Sequence, residues 1–131
     1  MKPRILIVDD EAPARARLAM LLADIAADCA HQLVGEADGA AAALEAVGVL
    51  QPDIILLDVQ MPGMDGLELA AQLQGLCRAA IIFVTAYEGH ALQAFEVQAV
   101  DYLLKPVRAA RLAEAIVRAS QRGPAVLPVS G

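Results

Sequence analysis

Short apolar segments alternate along the chain with longer segments in which apolar residues recur at helical spacing. An aliphatic run opens 4–10, apolar runs fill 54–57 and 80–87, and shorter apolar runs lie at 31–37 and 101–105. These five predicted strands lack a regular alternation of apolar and polar residues, so both faces of each strand should be covered. The pattern predicts a parallel sheet between two layers of helices.

The helical spacing of apolar residues predicts a helix after each strand. In the first helix apolar residues recur at helical spacing, namely Leu18, Leu21, Leu22 and Ile25, and Pro13 fits a first helical turn. Asp38 is expected to cap the second helix. The five helices are predicted at 12–26, 38–50, 67–76, about 90–98 and 107–122. Five consecutive β–α units predict an α/β doubly wound fold.

The length of the chain, 131 residues, suits one domain that can bury a core without a disulfide or a metal. We place the folded domain at 1–119 and interpret 120–131 as a linker or disordered tail. The stretch 123–131 contains two prolines, two glycines and no helical period. No second domain is therefore expected within this sequence.

Charge and cysteine content narrow the classes of function. The net charge of −6 disfavours direct binding of nucleic acid, which needs clustered Lys and Arg. Cys29 and Cys77 lack metal-ligand spacing and are expected to be buried or half-buried thiols. No apolar run approaches the ~20 residues of a membrane span, and acids directly follow the first apolar run, unlike in a signal peptide. We expect a cytoplasmic protein without membrane contact.

Polar side chains stand at the predicted carboxyl ends of four strands. Asp9 and Asp10 follow the first strand, Asp58 the third, Thr85 lies in the fourth and Lys105 ends the fifth. Ligands of open parallel sheets bind at this edge. Lysine is rarely buried without a partner, so an ammonium group at a strand end predicts an anion nearby.

Carboxylates within hydrogen-bond range repel one another, so at least one pKa should rise unless a cation lies among them. Oxygen ligands without His or Cys favour magnesium, and one carboxylate can then attack phosphorus. Lys105 and Thr85 would neutralise and bind phosphoryl oxygens. Taken singly, an Asp pair after a strand is more often a helix cap with a solvated acid. The combination at strand ends is what favours phosphoryl chemistry.

These residues resemble the receiver domains of bacterial two-component response regulators. The matching segments, within 3–119, are ILIVDDE (5–11), PDIILLDVQMPGMDG (52–66), IIFVTAY (81–87) and VDYLLKP (100–106). The resemblance implies a flavodoxin-like five-stranded parallel sheet in the order 2-1-3-4-5 with five helices. It also implies a histidine kinase as phosphoryl donor and a magnesium cofactor.

The resemblance assigns a role to each matching position. Asp58 is the expected phosphoacceptor, with Thr85 as switch hydroxyl, Lys105 as the family's lysine and Tyr102 as switch aromatic. Magnesium is expected on Asp10, Asp58 and the backbone carbonyl of Gln60, with Asp9 binding through water. The bond between Lys105 and Pro106 is expected to be the family's cis peptide.

The segments DDEAPARARLAMLL and AFEVQAVDYLLKP are similar to receivers that precede LytTR-type (LytR/AlgR-like) DNA-binding domains. This implies a transcription regulator whose DNA contacts belong to an absent output domain, with 120–131 leading towards it. A homodimer is expected through the predicted fourth helix, strand five and the last helix, a surface that carries Val97, Val100 and the series Arg108, Arg111, Glu114 and Arg118. A stand-alone receiver acting by protein docking is one alternative.

An aspartyl-phosphate phosphohydrolase is a second alternative. The versions of that class known to us carry a second Asp two residues after the nucleophile, where this sequence has Gln60. The substitution removes the acid/base carboxylate and argues against turnover of a substrate. The chain is therefore expected to catalyse only its own phosphorylation and dephosphorylation. A dinucleotide-binding fold is disfavoured because no GxGxxG follows the first strand.

Overall fold

The chain forms five strands and four helices in the part described by a computed structural model, which covers residues 2–87, 89, 93–94 and 97–122. The strands are β1 (Arg4–Val8), β2 (Gln32–Ala37), β3 (Ile54–Leu57), β4 (Ala80–Thr85) and β5 (Asp101–Leu104). The helices are α1 (Ala12–Ile25), α2 (Ala40–Leu50), α3 (Gly66–Gln74) and α4 (Ala109–Arg122). All strands pair in parallel in the order β2-β1-β3-β4-β5, as predicted.

The three central strands β1, β3 and β4 are buried on both faces, which explains their apolar sequences. The edge strands β2 and β5 are only partly buried, so the expected covering of both faces does not hold for them. One face of the sheet packs on α1 and α4 around side chains such as Ile7, Leu22 and Ile116. The other packs on α2 and α3 around side chains such as Leu57 and Leu73. The doubly wound α/β architecture predicted from the hydrophobic pattern is therefore confirmed.

Some local predictions differ from the structure. Asp38 does not cap α2; the capping position is Gly39, and no side-chain hydrogen bond is made there. The predicted fourth helix, about 90–98, lies largely outside the described residues, and within it residues 93 and 94 are helical. The predicted domain end at 119 lies inside α4, which continues to Arg122, so the division at 119 stays a prediction.

The remaining sequence-based expectations concern thiols and membranes. Cys29 is buried, Cys77 is partly exposed, and both are free, as expected. Within the described part of the chain, no helix combines the length and the apolar character that crossing a bilayer requires.

Candidate functional site

Three carboxylates meet at the carboxyl edge of the sheet. Asp9 and Asp10 follow β1, Asp58 follows β3, and these strands are neighbours. One carboxylate oxygen from each residue lies within 4.8 Å of those of the other two. Asp9 and Asp58 are buried, whereas Asp10 is more exposed. The sequence-based prediction that these acids converge is therefore correct.

Lys105 brings an ammonium group to the same edge from the end of β5. Its Nζ lies 2.8 Å from Asp9 Oδ2 and 3.6 Å from Asp58 Oδ2. Burial by itself lowers the pKa of Lys105, but the hydrogen bond to Asp9 and the charges of Asp58 and Asp9 outweigh burial and raise that pKa. Lys105 is thus a cation held by two carboxylates.

The pKa of the Asp58 carboxyl group is raised above its ordinary value. Burial is the largest cause, and the negative charge of Asp9 adds to it. Lys105, the backbone N–H of Gln60 at 3.2 Å and the Thr85 hydroxyl act in the opposite direction. Repulsion between the carboxylates was expected to raise at least one pKa in this cluster. For Asp58, the loss of solvation on burial raises the pKa more than the charge of Asp9 does.

The donor set at this edge fits magnesium. Its candidate ligands are carboxylate oxygens, which a small hard cation prefers, and Asp10 is open enough to leave room for bound water. A divalent cation would also offset the crowding of negative charge around Asp58. The three acids are therefore able to hold the metal that the sequence suggested.

The loop after β3 is fixed by a close backbone contact. The N–H of Gly66 donates to the Val59 carbonyl at 2.6 Å, and a Cβ added to Gly66 would lie 2.0 Å from the Asp58 carbonyl oxygen. Asp65 caps α3, and its side chain and that of Glu68 form a reciprocal capping box. Sequence analysis did not identify the need for glycine at position 66.

Comparison with known proteins gives the family. Residues 5–117 match the family model described as "Response regulator receiver domain". The chain belongs to the response regulator receiver family. Two solved domains share the fold of this receiver. The signal receiver domain of a modulated diguanylate cyclase from Desulfovibrio desulfuricans G20 has a TM-score of 0.83 and 33% identity, covering 93% of this chain and 96% of that one.

The response regulatory domain of mrkE from Klebsiella pneumoniae has a TM-score of 0.79 and 30% identity, covering 90% of this chain and 95% of that one.

Relatives of this receiver include longer regulators. A positive alginate biosynthesis regulatory protein of Pseudomonas aeruginosa is 48% identical over 118 residues, which cover 89% of this chain and 47% of that protein. The transcriptional regulatory protein BtsR of Escherichia coli K12 is 42% identical over 118 residues, 90% of this chain and 48% of BtsR. The chain spans about half the length of the curated relatives it matches. The expected likeness to receivers of LytTR-type regulators is confirmed.

The predicted switch residues of this receiver are connected through the segment after β4. Thr85 is fully buried, and its Oγ1 accepts a hydrogen bond from the N–H of Tyr87 at 3.4 Å. The Tyr102 hydroxyl donates to the Tyr87 carbonyl, and the Tyr102 ring tilts against Phe83 with centroids 6.1 Å apart. The peptide bond between Lys105 and Pro106 is cis, as expected. Thr85 and Tyr102 therefore share one contact residue.

The surface made by β5 and α4 of this receiver carries an ion-pair network. Arg111 binds both carboxylate oxygens of Asp101, at 2.7 and 2.9 Å, and Arg118 binds Asp101 at 2.8 Å. Burial alone would raise the pKa of Asp101, but these hydrogen bonds and charges lower it. Arg111 also contacts Glu114 at 3.1 Å. Sequence analysis assigned these arginines to a dimer surface and did not foresee their pairing with Asp101.

Replacing Asp58 by asparagine should stabilise the metal-free receiver at neutral pH. Burial raises the pKa of Asp58 in the folded state, so this acid binds more protons folded than unfolded. Its ionisation penalty is absent below the unfolded-state pKa and grows as pH rises through the folded-state pKa. We expect the free energy of unfolding in EDTA to rise by on the order of 1 kcal/mol at pH 7, but not at about pH 3.

The matched control for this prediction is Asp28→Asn, which makes the same chemical change at an exposed position. Denaturant unfolding of both variants at the two pH values isolates the contribution of burial. A lower stability of Asp58→Asn than of wild type at pH 7, or an equal gain at both pH values, would contradict the prediction.

Proposed function

We propose that this receiver is a phosphorylation-activated switch in which Asp58 accepts a phosphoryl group from a histidine kinase or a small phosphodonor. The environment of Asp58 carries the proposal. This buried carboxylate is faced by Lys105 at 3.6 Å and lies beside the carboxylates of Asp9 and Asp10. Acids crowded around one lysine disfavour each other's ionisation. A site that binds a metal cation and a phosphoryl group together would explain why three acids and one lysine are clustered there.

The proposed reaction is an in-line displacement at phosphorus. A carboxylate oxygen of Asp58 forms the new bond to phosphorus while the bond to the donor's nitrogen or oxygen breaks, and the leaving group keeps that electron pair. Lys105 would bind one phosphoryl oxygen and the Thr85 hydroxyl would donate to another. Because only ionised Asp58 is nucleophilic, labelling should slow as pH falls through its raised pKa.

Asp10, Asp58 and the backbone carbonyl of Gln60 are proposed to hold magnesium directly. Magnesium would neutralise charge developing on the phosphoryl oxygens. Asp9 suits binding through water, because its Oδ1 accepts the N–H of Glu11 at 2.9 Å and its Oδ2 accepts Lys105. Both oxygens of Asp9 thus already have protein partners.

The proposed output is a change of the surface formed by the predicted fourth helix, β5 and α4. Phosphorylated Asp58 would draw Thr85 and the segment after it inward, and Tyr102 would follow because it bonds to Tyr87 in that segment. The altered surface would form a homodimer and control an output domain of the LytTR type. That domain would make the DNA contacts and regulate transcription.

We also propose the organisation and setting of the protein. The receiver would occupy 1–119, and 120–131 would lead to the output domain; residues 123–131 lie outside the described part of the chain. A cytoplasmic location follows from the names of its relatives, which are regulators of biosynthesis and transcription. A stand-alone receiver that docks on another protein is the alternative for this output.

The test is incubation with acetyl phosphate and magnesium, followed by mass measurement of the intact protein. We expect wild type to gain the mass of one phosphoryl group, and we expect this gain to vanish in Asp58→Ala and when EDTA removes the metal. Asp53→Ala, which changes another aspartate at the opposite end of β3, is the matched control and should be labelled. Labelling that persists in Asp58→Ala would refute the assignment of the acceptor.

Turnover of a separate substrate is the second candidate function, and Gln60 argues against it. The Gln60 N–H donates to Asp58 at 3.2 Å, and its amide side chain cannot act as the acid/base carboxylate of a phosphohydrolase. We therefore propose that the protein acts catalytically only on its own Asp58. Release of many phosphates per protein from a simple phosphomonoester would overturn this view.

A further inference from the structure

Every polar atom of Asp9 has a partner inside the protein. Its backbone N–H donates to the Ala37 carbonyl at 3.1 Å, and its two carboxylate oxygens accept Glu11 N–H and Lys105 Nζ at 2.9 and 2.8 Å. The remaining atom, the backbone carbonyl oxygen, accepts a hydrogen bond from Arg15 Nη1 at 2.7 Å. Asp9 is only 1% exposed. The turn from β1 to α1 is therefore fixed on all sides.

Arg15 reaches this carbonyl from the first turn of α1 and is itself held in place. Its Nε lies 3.2 Å from Glu36 Oε1, and its side chain is 19% exposed. Glu36 belongs to β2, where it pairs with Ile7 of β1. The planar guanidinium thus joins the helix, the turn and the neighbouring strand, a geometry that the single ammonium of lysine cannot reproduce.

The bond from Arg15 bears directly on Asp10. The carbonyl of Asp9 and the N–H of Asp10 belong to one planar peptide unit, so fixing the carbonyl fixes the direction in which the chain enters Asp10. Asp10 is the most exposed of the three clustered acids, and its direction has to be set from the backbone. Groups outside the ligand shell commonly orient metal ligands in this way.

We propose that Arg15, supported by Glu36, is a positioning residue for the magnesium site. It holds the Asp9–Asp10 peptide plane so that the Asp10 carboxylate points towards Asp58. The inference rests on the proposed role of these acids as metal ligands.

Removing Arg15 should change magnesium affinity in opposite directions, depending on whether Arg15 acts through its charge or by positioning Asp10. A cation near the acid cluster repels magnesium, so if only its charge mattered, Arg15→Ala would bind magnesium more tightly. If Arg15 positions Asp10, the same variant binds more weakly. Arg17 provides the matched control, since it is an exposed arginine of the same helix whose guanidinium bonds the Val107 carbonyl at 3.4 Å instead of the Asp9 carbonyl.

The experiment is calorimetric titration of magnesium into the 131-residue chain, without a phosphodonor. We expect Arg15→Ala to weaken magnesium binding about tenfold and Arg17→Ala to leave the affinity unchanged or slightly tighter. Arg15→Lys restores the charge and one donor and should fall between wild type and Arg15→Ala. Magnesium affinity of Arg15→Ala equal to or tighter than that of wild type would overturn the proposal.

Two further measurements separate positioning from loss of folding. With acetyl phosphate, the half-saturating magnesium concentration of Arg15→Ala should rise about tenfold while the rate at saturating magnesium stays near wild type. Glu36→Gln should weaken binding less, and much of its effect should disappear in the Arg15→Ala background. If Arg15→Ala is poorly folded in EDTA, Arg15→Lys and Glu36→Gln carry the test, and wild-type affinity in both would refute the proposal.

A failure of labelling in wild type would instead refute the proposed function, while the calorimetric comparison would still decide the role of Arg15.

Discussion

Gly66→Ala should destabilise this receiver by about 3 kcal/mol or more and slow the labelling of Asp58. The added Cβ would lie 2.0 Å from the Asp58 carbonyl oxygen and 2.8 Å from Val59 Cα. Both contacts are to backbone, so no side-chain rotation relieves them. Either α3 moves away from the sheet or the end of β3 moves with its carboxylate. Denaturant unfolding measures the loss of stability. The rate of mass gain with acetyl phosphate measures the slower labelling of Asp58.

Gly48→Ala is the matched control, because it makes the same substitution inside α2 where an added Cβ meets no atom within 4 Å. Alanine is the better helix former, so this variant should gain up to about 1 kcal/mol. The two substitutions should therefore shift stability in opposite directions. Equal stability of Gly66→Ala and wild type would show that the loop after β3 tolerates a displacement we consider costly.

Beryllofluoride, a stand-in for the phosphoryl group, should strengthen self-association of this receiver when magnesium is present. A coupling of ~1–3 kcal/mol is typical of such switches and corresponds to roughly 5–150-fold in affinity. The reason is the proposed path from Asp58 through Thr85 and Tyr87 to Tyr102. Light scattering over a concentration series, with and without beryllofluoride, measures the effect. Thr85→Ala should reduce the gain while still allowing Asp58 to be modified.

The surface expected to dimerise can be tested with charge reversals. Glu114 on α4 and Glu45 on α2 are both exposed, so Glu114→Lys probes the proposed surface and Glu45→Lys is the same change elsewhere. Like-charge contacts across a two-fold axis would weaken association only in the first variant. An unchanged apparent mass of wild type at every concentration would refute the dimer switch and leave docking on another protein as the output.

The ion-pair network around Asp101 limits which charged side chains are available to contact a second subunit. Arg111 and Arg118 are already bound to Asp101, so a partner must share or displace them. Leu104 on β5, Arg108 just before α4 and Glu114 on α4 are exposed groups of this surface that do not bind Asp101. Sequence analysis grouped Arg108, Arg111, Glu114 and Arg118 as one surface, because helical spacing reports a shared face but not a competing partner on a neighbouring strand.

The hydrophobic pattern of the sequence was enough to predict the architecture. Strands such as 54–57 and 80–84 are apolar throughout because both of their faces are buried, and this feature distinguishes a parallel sheet from an antiparallel one. The parallel arrangement then places every strand end at one edge. For that reason Asp9, Asp58 and Lys105 could be assigned to one site from their positions in the sequence alone.

Features of the site that depend on contacts between segments far apart in the chain were determined only by the tertiary structure. The raised pKa of Asp58 follows mainly from its burial, which composition does not report. Gly66 is needed because helix α3 approaches the Asp58 carbonyl, and Arg15 matters because β2 and the turn after β1 both lie within its reach. Residue types and their spacing reveal which groups a strand delivers to its end. Only packing determines which of those groups lose water and which backbone atoms hold them in place.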